Sequence, residues 1–182
     1  MSDLCALDPG FGAPRSWVST GGFAVVWLAL MLAYSPVADK IATRFVERPP
    51  RLRAFRALRE SRTKLALGIV VAWAFGGFLE EWLLRGVLLR WLEHWISRAA
   101  PAPAPTAIAI CVSAAAAGIA HLYQGKRGAL IIAQLSVLFG LLFVASGQDL
   151  WAVVLCHGTY DTIAFIRFAR GKSKYSKLDT DE

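Results

Sequence analysis

The sequence predicts an all-α fold, a polytopic membrane helix bundle of about five transmembrane helices plus a basic interfacial segment. Three observations carry that reading. Hydrophobic residues make up 56% of the 182-residue chain, against roughly 45–50% in soluble domains. Charged residues make up only 18%, against about 25%. Uncharged runs of span length recur along the chain, with the cations set between them. With a mean hydropathy of +0.47, a disordered chain, a collagen-like repeat and a charged coiled coil are excluded. A soluble enzyme fits poorly, because one small core cannot hide so much apolar surface.

The first uncharged run is Gly21 to Ala38, 18 residues, within the roughly 17–25 that a span needs. The segment before it carries Asp3, Asp8 and Arg15. It lacks the positive flank of a signal peptide, so a retained span is expected. Lys40 to Lys64 is polar and basic around Pro49-Pro50. Leu52, Phe55 and Leu58 share a helical stripe there, as in a short interfacial helix on anionic lipid. Leu65 to Leu79 is uncharged, and its apolar pattern continues to Ile96. As one helix that stretch is ~48 Å long against a ~30 Å hydrocarbon core, so a kink is expected at Gly76-Gly77. Residues 99–105, Ala-Ala-Pro-Ala-Pro-Ala-Pro, read as a stiff polyproline-type loop. Thr106 to Ala120 is an Ala- and Gly-rich run. Gly128 to Gln148 is the clearest span, and Leu150 to Phe168 is the last.

The expected organisation is an N-terminal polar segment (1–20), a first span (21–38), a basic loop (39–64), a membrane core (65–168) and a tail (169–182). Cys111 and Cys156 lie in apolar runs as small buried residues, Cys5 is near the N-terminus, and no disulfide framework or zinc spacing is present.

The net charge is +7 and the pI is about 9.7. On a soluble domain that balance suggests nucleic acid. Here its distribution says otherwise. Nine Lys and Arg fall in 40–64, two at 126–127 and five in 167–177, so sixteen of twenty lie on one side of a five-span chain. Positive-inside bias then places the N-terminus outside and the C-terminus in the cytoplasm of a cell-membrane protein. The charge distribution makes an anionic lipid surface the expected partner, with no nucleic acid. Nothing in the sequence indicates the oligomeric state.

Six ionisable residues lie in or at the ends of the spans: Glu80, Glu81, Arg85, His121, His157 and Asp161. Each charge near a bilayer centre costs ~2.5–3.5 kcal/mol on insertion scales, so grouping them is favoured. Glu81 and Arg85 stand at i and i+4 and should pair. Glu80 lies ~100° around the helix with no partner on its own helix, poised to take a proton from water and return it to a leaving amine. His157 and Asp161 are also i and i+4, so the carboxylate can hold the imidazole in one tautomer. His121 comes from a third segment. Each of these has a plainer reading as a structural pair, an interfacial histidine or a packing group. Arg90, Glu93 and His94 read as headgroup residues, and Trp82, Trp91 and Tyr123 as interface or packing aromatics. Counted from Lys64 and Lys126, Glu80 and His121 would sit ~24 and ~8 Å deep. They meet only if the long helix starts below the surface or tilts, or if His121 is more buried.

Phe78-Leu-Glu-Glu-Trp-Leu-Leu-Arg-Gly86 resembles the EExxxR motif of the CPBP membrane peptidases, which comprise the type II CAAX prenyl endopeptidases and the bacteriocin-processing or immunity proteins of the Abi group. The family's FxxxH motif is similar to Ala117-Gly-Ile-Ala-His121, with Ala117 in place of the aromatic. Its HxxxN or HxxxD motif is similar to His157-Gly-Thr-Tyr-Asp161. The resemblance spans about residues 65–168. It implies a glutamate-dependent intramembrane endopeptidase that acts on a peptide or protein substrate and needs no cofactor. In that scheme Glu80 activates water with His121 assisting, His157 and residue 161 stabilise the oxyanion, and Glu81 and Arg85 shape the site. The prenyl-CAAX enzymes carry Asn where Asp161 stands. An ionised Asp cannot donate to an oxyanion, so it would act protonated or by charging and orienting His157, and the substrate stays open.

Two other readings of the same residues differ in class. A metal-dependent membrane hydrolase would use Glu80, His121 and His157 as a His2Glu zinc set, although no HExxH is present. A non-enzymatic immunity or scaffold protein would keep the pocket without the chemistry. A transporter fits less well, since no paired repeat appears.

Overall fold

The computed structural model describes residues 12–14 and 16–172. Asp3, Cys5, Asp8, Arg15 and the last ten residues lie outside them. The described residues form helices joined by short turns, with no strand among them.

Helix α1 spans Trp17–Phe45 and overruns the expected span at both ends. Ser16 caps it, its side chain accepting from the Ser19 amide at 3.3 Å. A 3-10 helix, Arg53–Arg59, occupies the expected interfacial segment. A continuous helical rod then runs Arg62–Ile96. Its ends are α-helical, as α2 (Arg62–Val71) and α3 (Arg90–Ile96), and its middle is π-helical over Ala72–Glu80 and Trp82–Leu89. Helices α4 (Ala104–Ala120), α5 (Gly125–Ala145) and α6 (Leu150–Ala169) complete the bundle. Three helical stretches, Trp17–Phe45, Arg62–Ile96 and Leu122–Ala145, are long and apolar enough to cross a bilayer, and α4 is a shorter apolar helix.

The contacts fix the directions. Thr20 at the start of α1 donates to Asp149, the N-cap of α6, at 2.5 Å, and Tyr160 of α6 meets Ser35 of α1 at 3.1 Å. These two helices are therefore parallel. The α5 helix runs against them, with the Trp27 indole donating to the Leu138 carbonyl at 2.8 Å and Tyr34 reaching Gln134 at 3.1 Å. The rod runs against α6, with Trp73 bonded to Thr162 and Phe78 beside Trp151. The rod also runs against α4, with Glu93 beside Thr106 at one end and Ser113 bonded to the Leu84 carbonyl midway. The result is an up-and-down bundle. Residues 40–64, 126–127 and 167–172 gather at one end, and Arg98 lies at the other. Between the helices lies an apolar core that includes Met31, Leu89, Phe139, Leu142, Phe143, Leu150, Val153 and Cys156.

Several local expectations change. At Gly76-Gly77 the helix is continuous but π-helical, a local geometry at which helices kink, and these glycines also serve contact with α6. A Cβ on Gly77 would lie 3.3 Å from the Gly158 Cα. The Ala-Pro run is no polyproline rod: Pro103 has φ −94° and ψ 8°, and Pro105 lies in the first turn of α4, where a missing N–H costs nothing. Residues 126–127 lie in the first turn of α5 and not in a loop. Arg127 is buried there in a pair with Asp39, 2.7 Å from its carboxylate. Glu93 and Arg90 tie the bundle end together, bonded to Gln148 at 3.2 Å each. Cys156 is buried as expected, whereas Cys111 is exposed on the outer face of α4.

Candidate active site

The six ionisable residues of the spans come together from three helical stretches. Glu81 stands at the centre. Its Oε1 accepts from His157 Nδ1 at 2.5 Å, and its Oε2 lies 3.0 Å from Arg85 Nη1. The Glu81 and Arg85 side chains are 0% and 1% exposed. Arg85 reaches across to α5, where Nη2 donates to Ser136 Oγ at 2.5 Å and to the Ser136 carbonyl at 2.8 Å. Phe139, one turn further along α5, is wedged between the charged groups. The Arg85 guanidinium lies 5.6 Å from its ring centre, and the His157 ring stacks on it at 4.5 Å.

The intrahelical pair His157–Asp161 exists but is the looser one, with Nε2 3.5 Å from Asp161 Oδ2. The closer partner of His157 is Glu81, and that corrects the expectation that Asp161 orients the ring. Glycines make this possible. A Cβ on Gly158 would lie 2.5 Å from the Trp73 ring, and one on Gly76 would lie 3.0 Å from Asp161 Oδ2 and 3.6 Å from His157 Nε2. With hydrogen atoms there instead, α6 approaches the rod closely enough for His157 to reach Glu81.

Glu80 lies beside this cluster and is partly exposed. His121 Nε2 lies 4.0 Å from its Oε2, and these side chains are 18% and 23% exposed. His121 caps the C-terminus of α4. Its Nδ1 lies 2.9 Å from the Ala117 carbonyl. A carbonyl only accepts, so Nδ1 carries the proton and Nε2 is the atom turned to Glu80. The depth mismatch counted from Lys64 and Lys126 therefore does not keep the two apart. A gap of 4.0 Å is long for a direct hydrogen bond but is bridgeable by a water.

Ser136 and Phe139 were not marked by the sequence. They sit in the clearest uncharged span, where nothing distinguishes them from lipid-facing neighbours. Glu80, His121 and His157 do not assemble into the His2Glu set. His157 Nδ1 is engaged by Glu81, and among the described residues no three His, Cys, Asp or Glu side chains group at metal-ligand spacing.

Comparison with known proteins adds one match. The family model described as "Type II CAAX prenyl endopeptidase Rce1-like" covers residues 62–163. No curated protein matches, and no solved structure matches. The matched range holds all six ionisable residues, with Ser136 and Phe139.

Proposed function

The chain belongs to the Rce1-like family of type II CAAX prenyl endopeptidases, and on that premise we propose that it is a glutamate-dependent membrane endopeptidase with Glu80 as its base. Family membership points to a membrane protease acting on a peptide or protein. The assignment of Glu80 rests on one observation. Of two adjacent glutamates, Glu81 is sealed from solvent and committed to Arg85 and His157, whereas Glu80 is open and faces an imidazole nitrogen.

In this reading a water sits between Glu80 and His121 Nε2. Glu80 takes its proton as the oxygen attacks the scissile carbonyl, and later delivers that proton to the leaving amine. His157 is held through Nδ1 by Glu81. As the imidazolium it donates from Nε2 to the developing oxyanion, with Asp161 alongside to balance its charge. Arg85 keeps Glu81 in place, and Ser136 and Phe139 keep Arg85 and His157 in place.

The test is cleavage of membrane-presented peptides by the purified protein in liposomes. Glu80→Gln should lower the rate by about 10²–10⁴-fold with the melting transition unchanged. A folded Glu80→Gln variant that cleaves normally overturns the assignment.

A further inference from the structure

At the end of the bundle where the cations gather, a cavity of about 490 Å³ opens between α1 and the start of α5. Pro36, Asp39, Lys40, Thr43, Arg44 and Arg127 line it. Its one carboxylate is already neutralised, since Asp39 Oδ1 receives Arg127 Nη2 at 2.7 Å and Nε at 2.9 Å. Thr43 turns its hydroxyl proton back to the Asp39 carbonyl at 2.7 Å. Two positive charges are left over. Lys40 and Arg44 are exposed, and neither has an ion-pair or hydrogen-bond partner among the described residues.

The surface leading away from these cations is apolar. Lys40, Val37, Ala33, Leu30 and Val26 follow one another at helical spacing of three and four, so they form one stripe down α1. Val37, Leu30 and Val26 are 47%, 52% and 60% exposed. A site with two uncommitted cations above an exposed apolar stripe matches an amphipathic anion better than a soluble one. We infer that the cavity holds the phosphate of an anionic lipid headgroup, with an acyl chain lying along the Val26–Val37 stripe. Lys40 and Arg44 supply the charge. The Asp39–Arg127 pair braces the wall and holds α1 against α5. The site is remote in sequence from Glu80 and His157 and stands whether or not the chain is a peptidase.

Native mass spectrometry of the full chain in detergent tests this, with phosphatidylglycerol, phosphatidylcholine or inorganic phosphate added. The wild type should retain phosphatidylglycerol over phosphatidylcholine. The Lys40→Gln/Arg44→Gln double variant should weaken that retention about thirtyfold, the combined effect of two surface cations. An Arg62→Gln/Lys64→Gln variant, which removes the same charge at the same end, should keep it. Equal loss in both variants means diffuse attraction and overturns the site. Absence of headgroup preference in the wild type overturns it without any variant. Retention of inorganic phosphate in place of lipid makes the ligand a soluble anion and overturns the lipid assignment.

Discussion

Glu80 and Glu81 are neighbours in sequence and opposites in surroundings. Glu81 is sealed, paired with Arg85 and hydrogen-bonded to His157. Its side of the rod packs on Ser136 and Phe139 of α5. Glu80 opens toward the end of α4, where the His121 imidazole lies 4.0 Å from its carboxylate. The difference separates two duties that one motif compresses into adjacent letters. A buried, fully engaged carboxylate can orient a histidine but has no room for a water. A half-open carboxylate can admit water but does little to hold helices together. Mutations on the two sides should therefore fail in different ways.

The largest effect is expected on the closed side. Arg85→Met leaves the Glu81 carboxylate buried without its guanidinium partner, and breaking a buried pair costs about 3–5 kcal/mol. Thermal unfolding of the purified protein should show a marked fall in the midpoint. Adding Glu81→Gln should restore part of it, since the buried carboxylate that lost its guanidinium is then gone. Activity should stay low in both variants, because Glu81 no longer holds His157 as it does when anchored by Arg85. An unchanged midpoint in Arg85→Met would break the distinction between the two sides.

The open side should respond in rate and not in fold. His121→Ala removes the nitrogen facing Glu80, and its other hydrogen bond is only to Ala117 of its own helix. Cleavage should fall about a hundredfold through kcat, with the melting midpoint unchanged. A fall in stability as large as that of Arg85→Met would mean that His121 is a structural cap and that the open side is not open in function.

Much of this arrangement is legible before any coordinates, for a physical reason. Charge in an apolar run is costly, so Glu80, Glu81, Arg85, His121, His157 and Asp161 mark themselves, and grouping them is the economical solution. The up-and-down order also follows, because the cations of 40–64 and 126–127 must share an end if each apolar run crosses once. Partner choice is not legible. Helical spacing favours Asp161 for His157, yet Glu81 is closer because Gly76, Gly77 and Gly158 let two helices approach, a distance that no single-helix rule contains. Arg127 reads as a loop cation until α1 brings Asp39 to it from 88 residues away. Ser136 and Phe139 carry no charge, so only the rotation of α5 about its axis could reveal them.

The smallest effect expected is the most specific probe of how the closed side is built. Arg85 Nη2 has two acceptors on one residue, Ser136 Oγ at 2.5 Å and its carbonyl at 2.8 Å. Ser136→Ala removes the first and leaves the second, and it adds no volume to a buried position. Loss of one hydrogen bond to a charged group costs about 1.5–3 kcal/mol, but the surviving carbonyl and Glu81 keep the guanidinium in place, so the lower end of that range is expected. The melting midpoint should drop by clearly less than in Arg85→Met, and cleavage should be little changed because the Glu81–His157 bond is untouched. A loss equal to that of Arg85→Met would locate the anchor in the hydroxyl. A large loss of rate with stability intact would place Ser136 in the reaction itself, and the closed side would then no longer be purely a support.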